Sequence, residues 1–177
     1  MYLIFLIFSL IILILTIVMI LVWYYRATKN IHSFGAREVT SPIMAVVWWF
    51  VPIFQLWKPY LVSQQIWKAS KPEIKLSSGT EWKDASGSNI IKIWWILTLA
   101  SLFGTLIVAF LVGVTLGLAS NTMEADIDQF QESNDTLIMN TLIILPSIVL
   151  NIISTIYGIR MIRIISNSQE LKSGTSI

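Results

Sequence analysis

Cysteine is absent from the 177 residues. The chain therefore has no disulfide, no thiolate metal site and no cysteine nucleophile. Histidine occurs once, at His32 in a polar stretch with no second ligand nearby, so the usual zinc and nucleophile-plus-base arrangements cannot be assembled. No glycine-rich phosphate loop is present either. Charge is scarce, at 12% Asp, Glu, Lys and Arg, where a soluble domain averages about 25%. The few charges also avoid the interiors of the confident apolar spans, which argues against a proton relay or an ion-coupled transporter. These absences lead to the expectation of a non-enzyme with no catalytic residue, no metal and no cofactor.

What is present is apolar surface: 55% of residues are hydrophobic and the mean hydropathy is +0.74. Residues 1–24 open with an almost unbroken apolar run, long enough as a helix to cross a hydrocarbon core of about 30 Å. No basic leader or small-x-small cleavage site accompanies it, so a retained span is expected. Trp23, Tyr24 and Tyr25 occupy the place of an aromatic belt, with Arg26 and Lys29 beyond. Residues 90–118 form a second span, opened by Lys92, Trp94 and Trp95 as interface anchors. Along it Ser101, Thr105, Ala109, Gly113 and Gly117 recur every fourth residue, a small-residue stripe suited to close helix packing. Residues 137–159 form the third span, with Pro146 expected to kink it. Its Ser147, Asn151, Ser154, Thr155 and Gly158 share a face that suits pairing with that stripe.

Between these spans lie pieces of different character. Residues 26–40 read as a short polar connection, and 71–89 as an exposed loop in which Ser77-Ser78-Gly79 suits a small hairpin turn. Residues 119–135 carry Glu124, Asp126, Asp128, Glu132 and Asp135 with no basic residue. That segment reads as a solvated acidic loop, since a calcium loop would want a glycine turn. The tail, 166–177, is polar and expected to fray. Residues 1–165 then make one polytopic membrane domain.

The stretch Ser41–Ser70 is the unusual part. It holds Trp48, Trp49, Trp57 and Trp67, four of the eight tryptophans, and Pro42, Pro52 and Pro59, three of the five prolines. Residues 41–57 are too short for an ordinary span and carry Pro52 near the middle, which removes a backbone donor. A re-entrant piece is expected, with a fourth span as the alternative. Residues 59–70 place Tyr60, Val62, Ile66, Trp67 and Ala69 on one side of a wheel and Gln64, Gln65 and Lys68 on the other, the pattern of an interfacial helix. The fold class expected is an all-α integral membrane protein with three transmembrane helices plus this proline-broken segment. Candidate lipid or partner contacts are Trp49, Pro52, Gln55, Trp57, Lys58, Tyr60 and Trp67. Lys58 reads either as a snorkelling lysine or as a cation fixed by aromatic neighbours. Trp48, Trp49 and Trp57 suit belt packing better than an aromatic cage.

Basic residues favour the cytoplasmic side. Three follow the first span, six lie between Lys58 and Lys92, none is in the acidic segment and three lie near the C-terminus, which accounts for all twelve. A re-entrant 41–57 puts every one inside. The acidic segment 119–135 and the N-terminus then lie outside the inner (plasma) membrane, and residues 58–92 and the C-terminus are cytoplasmic. A four-span arrangement strands the first three outside.

Three pieces of the centre carry a family likeness: Trp49-Phe50-Val51-Pro52, Leu56-Trp57-Lys58-Pro59-Tyr60 and Ile66-Trp67-Lys68-Ala69-Ser70. With Ser41-Pro42 upstream and Trp94-Trp95 downstream, they resemble a bacterial membrane family, domain of unknown function 4328. The resemblance implies about four hydrophobic segments and no assigned activity, and this chain's first loop has fewer arginines than the family's. The function expected is association, as an accessory or scaffold subunit in a homo-oligomer or a larger membrane complex. The alternative is a channel or lipid-interacting transporter whose broken 41–57 segment lines a path. Membrane lipids are the expected partners, and nucleic acid is not.

Overall fold

The computed structural model describes residues 2–121 and 129–174. Five α-helices run α1 Tyr2–Ser33, α2 Pro42–Val47, α3 Lys58–Ser70, α4 Asn89–Asn121 and α5 Gln129–Gly174, with single 3-10 turns at Phe54–Leu56 and Glu81–Asp84. No strand occurs among the described residues. Three helices are long and apolar enough to cross a membrane, over Ile7–Ser33, Asn89–Val114 and Ile144–Gly174. The all-α membrane architecture is therefore present, and the chain fits a multi-pass membrane protein.

Every side chain from Ile7 to Met19 on α1 is exposed. A helix apolar all round, with none of that stretch covered by protein, needs hydrocarbon as its solvent. Its Thr16 meets the same demand by donating its hydroxyl to the Ile12 carbonyl at 2.8 Å. The helix does not stop near residue 24 but continues to Ser33, so half of the expected polar connection is helical. Its end is a Schellman motif: Gly35 at φ +92° lets Gly35 N–H reach His32 O and Ala36 N–H reach Ile31 O.

Other boundaries also move. α5 begins at Gln129 rather than near 137, continues as one helix through Pro146, and runs on through residues 166–174, part of the segment expected to fray. Residues 122–128 of the acidic segment, with Glu124, Asp126 and Asp128, lie outside the described residues. In 71–89 the Ser77-Ser78-Gly79 turn precedes a 3-10 helix rather than joining two strands.

By packing, the chain divides into two units, Met1–Asn89 with Ile162–Ile177, and Ile90–Met161. In the first, Tyr24, Ala27, Thr28 and Ile31 form one buried stripe on α1, and Pro59, Val62, Ser63, Ile66, Ala69 and Ser70 form another on α3. Both follow the i, i+3, i+4, i+7 rhythm of a helix with one packed face. Ala45 of α2 and Ile165 and Gln169 of α5 are buried in the same unit. In the second unit, Trp94 of α4 covers Gly158 of α5, where an added Cβ would stand 3.0 Å from the indole nitrogen. Trp94 and Trp95 are buried, not exposed as belt anchors.

Candidate functional site

The aromatic-proline centre uses its prolines mainly as helix starts. Ser41 caps α2, its hydroxyl accepting from Met44 N–H at 3.3 Å, and Pro42 fills the first turn, where its missing donor costs nothing. Pro59 does the same for α3. Between them the chain is neither one bent helix nor one straight one. α2 ends at Val47, five residues before Pro52, and turns carry the chain to the 3-10 helix at Phe54–Leu56. Phe50 and Ile53 are 65% and 68% exposed on this segment, and Pro52 is exposed between them.

The tryptophans do not converge on one cage. Trp49 meets Tyr24 edge-on at 5.3 Å. Trp48 and Trp57 both pack against Phe54, tilted and edge-on, with ring centres 5.0 and 5.5 Å away. The cation over Trp48 is the protein's own Lys58, with Nζ 5.1 Å from the ring centre and 6.0 Å from that of Phe54. Lys58 is thus set against two aromatic faces. Gln55 and Tyr60 are half-buried, and Trp57 is 41% exposed. Trp67 faces Lys71, whose Nζ lies 5.7 Å from the indole, and its own Nε1 is buried with no hydrogen-bond partner among the described residues.

A polar clamp lies beside this centre, built by residues the sequence reading left in a frayed tail. Gln169 donates to the Ala27 carbonyl at 3.0 Å and to Ser70 Oγ at 3.1 Å, and accepts from Asn30 Nδ2 at 2.8 Å. Lys172 donates to the carbonyls of Ala69, Lys71 and Ile74 at 2.8, 3.1 and 2.8 Å. It therefore caps the C-terminal end of α3, where helix carbonyls lack partners and a cation is favoured. Tyr24, read as a belt residue, is buried and shares a 2.6 Å hydrogen bond with Ser63. The expected interfacial helix is α3, with its apolar side turned into the protein and its glutamines engaged: Gln64 with Ser88, Gln65 with Thr40.

A second set of contacts ties residues 37–40 to the segment after α3. Arg37 N–H donates to Gly79 O at 2.7 Å, and Trp82 Nε1 donates to Arg37 O at 2.9 Å. Glu38, at φ +57°, is ion-paired with Lys83. Glu81 organises the turn before it. Its carboxylate accepts from Ser78 N–H, from the Ser77 hydroxyl and from Gly79 N–H. The Ser78 backbone donor, followed by Ser77, holds this carboxyl well below the usual carboxylate range.

The two helix-packing stripes meet only over part of their length. Thr98 and Ser154 hydroxyls share a hydrogen bond of 2.9 Å, and Asn151 Nδ2 reaches Thr105 Oγ1 at 3.5 Å. Ser101 is buried. Ser147, Asn151 and Thr155 also donate to carbonyls of their own helix, at 2.7 to 2.8 Å. Thr105, Ala109, Gly113 and Gly117 are exposed, and a Cβ added at Gly113 would meet nothing within 4 Å.

A family model, domain of unknown function DUF4328, matches residues 1–167. The chain belongs to the DUF4328 family. No curated protein and no solved structure matches it. The DUF4328 match stops short of Gln169 and Lys172, the two residues that close the clamp. One signal in the sequence pointed at them. The buried positions Met161 and Ile165 continue at helical spacing to Gln169 and Lys172, so a helix carried through the tail would have placed them inward.

Proposed function

We propose that the protein is a multi-pass membrane subunit that works by association, with a rigid head on the basic side of the bilayer and an uncovered apolar helix face as its contact. The observation that carries this reading is the contrast within one chain. The polar and aromatic centre is knitted to itself, while the stripe from Thr105 to Gly113 on α4 stays exposed. Small residues at that spacing let a second helix approach closely in lipid. Placing the membrane as the cell's inner one, with residues 58–92 and the C-terminus cytoplasmic, belongs to the same proposal and rests on the distribution of basic residues.

In this reading segment 41–57 enters the lipid part-way and returns. Its helical part is six residues long, about 9 Å, against a hydrocarbon core of about 30 Å. Phe50 and Ile53 face outward, as suits a wedge seated among acyl chains rather than the lining of a polar path. The channel reading finds less support for that reason.

The test is the oligomeric state in mild detergent. Gly113→Leu leaves the monomer's described packing untouched and should shift the assembly toward monomer. An unchanged assembly in Gly113→Leu, alongside one dispersed by Lys58→Ala, would move the contact from α4 to the aromatic centre.

A further inference from the structure

One open groove in the first unit lies apart from the aromatic centre. It measures about 790 Å³ and runs between the C-terminal half of α1 and the last turns of α5. Its wall changes character along α1. Val18, Met19 and Val22 line one end, Trp23 follows, and Arg26 and Asn30 line the other, with Glu170 contributed by α5. From Val18 to Asn30 is about 18 Å of helix, enough for the upper part of an acyl chain, a glycerol and a headgroup. Both ends lie along the helix long enough to span, Ile7–Ser33, and the polar end follows the aromatic residues expected at the interface.

The floor is fixed before any ligand arrives. Trp23 Nε1 donates to Ser166 Oγ at 3.3 Å, and Asn30 Nδ2 to Gln169 Oε1 at 2.8 Å. Ser33, also on the wall, spends its proton on the Asn30 carbonyl at 2.7 Å. Ser33 Oγ and Asn30 Oδ1 therefore offer lone pairs, so the groove is lined by acceptors in addition to the Glu170 carboxylate. Arg26 and Glu170 are both exposed, and neither forms an ion pair among the described residues.

From this order of groups we infer that the groove binds one phospholipid with a primary-amine headgroup, of the phosphatidylethanolamine class. The acyl chain lies along Val18, Met19 and Val22, the phosphate takes Arg26, and the ammonium takes Glu170 with its neighbouring acceptors. A primary ammonium brings three N–H donors to these acceptors, whereas a trimethylammonium brings none. An anionic headgroup has no use for Glu170. The inference rests on the membrane reading of α1 and is independent of the proposed association through α4.

The experiment is native mass spectrometry of the full chain released from detergent. It is titrated in turn with palmitoyl-oleoyl phosphatidylethanolamine, phosphatidylcholine and phosphatidylglycerol. The first adduct should favour phosphatidylethanolamine. Arg26→Gln should weaken retention of all three lipids roughly fivefold, the worth of one basic residue near a membrane surface. Glu170→Gln should bring phosphatidylethanolamine down to the phosphatidylcholine level, about two- to fivefold, and leave phosphatidylglycerol unchanged or stronger. Equal retention of the three lipids, preference for phosphatidylglycerol, or a preference that survives both substitutions would overturn the assignment. Chain-free glycerophosphoethanolamine should compete poorly; competition equal to the intact lipid's would overturn it too, by showing that the apolar half takes no part. Both substituted side chains are exposed and outside the hydrogen-bonded floor, so unchanged helicity by circular dichroism separates lost binding from lost folding.

Discussion

Lys172 is a charged side chain only 8% exposed, satisfied by three main-chain carbonyls and set 5.7 Å from the Phe34 ring. Removing it leaves the end of α3 with unpaired carbonyls and frees the last turns of α5. Lys172→Met should lower stability by about 2–4 kcal/mol, read from thermal unfolding in detergent and from faster amide exchange over residues 71–76. Lys172→Arg should rescue little, because a planar fork cannot point three donors at carbonyls gathered around one compact ammonium. Gly79 makes a comparable demand on the backbone. It sits at φ +89°, and a Cβ there would stand 2.7 Å from Arg37 Cγ and from Gly35 O. Gly79→Ala should cost about 2–3 kcal/mol through strain and clash together, seen as loss of Arg37 amide protection. Glu81 supplies the pH dependence of the same turn. Its folded value is depressed, so its contribution is present above the ordinary carboxylate range and is lost only as pH falls through the lower folded value. The Ser78 and Gly79 amide resonances should therefore keep their folded positions through the range in which free glutamate titrates. In Glu81→Gln they should already be shifted at neutral pH.

At the scale of elements, α4 and α5 meet where bulk fits absence of bulk. Trp94 lies so close on Gly158 that a Cβ there would stand only 3.0 Å from the indole nitrogen, so Gly158→Val should force the indole out and cost about 1–3 kcal/mol. Gly113→Val on the exposed face should change monomer stability by less than about 0.5 kcal/mol. Comparing the two variants by denaturation within one detergent tests whether the small residues serve two different neighbours. These elements also mark how far the sequence was legible. Apolar run length revealed the three long helices, because hydrocarbon thickness leaves few alternatives to a helix of about twenty residues. It missed their ends, since helix beyond the apolar run is supported by tertiary contacts: Ile31 and Thr28 on α1, Gln169 and Lys172 on α5. The tryptophan-proline centre was legible as unusual by composition alone. Its inward partners were not, because Tyr24 and Trp94 carry the same signature whether they sit in a belt or in a core. Residues 71–89 read as an exposed loop with no more than a small turn at Ser77-Ser78-Gly79, for a related reason. The burial of Trp82, whose indole donates to Arg37 O, depends on an approach of Arg37 that no local pattern encodes.

For the whole molecule the question is which side of the bilayer each connection occupies. Were 41–57 a crossing segment, residues 34–40 and 64–88 would be separated by a hydrocarbon core of about 30 Å. They are instead joined by Arg37 N–H to Gly79 O at 2.7 Å, Trp82 Nε1 to Arg37 O at 2.9 Å, Thr40 Oγ1 to Gln65 Oε1 at 2.8 Å and the Glu38–Lys83 ion pair. The last turns of α5 add Gln169 to Ala27 O and Lys172 to Ala69 O. These contacts are independent of charge counting and support the proposed return of 41–57 to the side from which it enters. On the proposed threading, single cysteines at Ser33, Ser78 and Ser173 should react with an impermeant maleimide only after the cytoplasmic face is opened. Asp126→Cys should react in intact cells. The chain carries no native cysteine to confuse the readout. If Ser33→Cys were labelled from outside while Ser78→Cys was not, the segment would have to cross, and the hydrogen bond between Arg37 and Gly79 could not exist in the membrane. A bismaleimide of short span linking Glu38→Cys to Lys83→Cys within one chain gives the complementary measurement, since only two residues on one face of the bilayer can be joined by it.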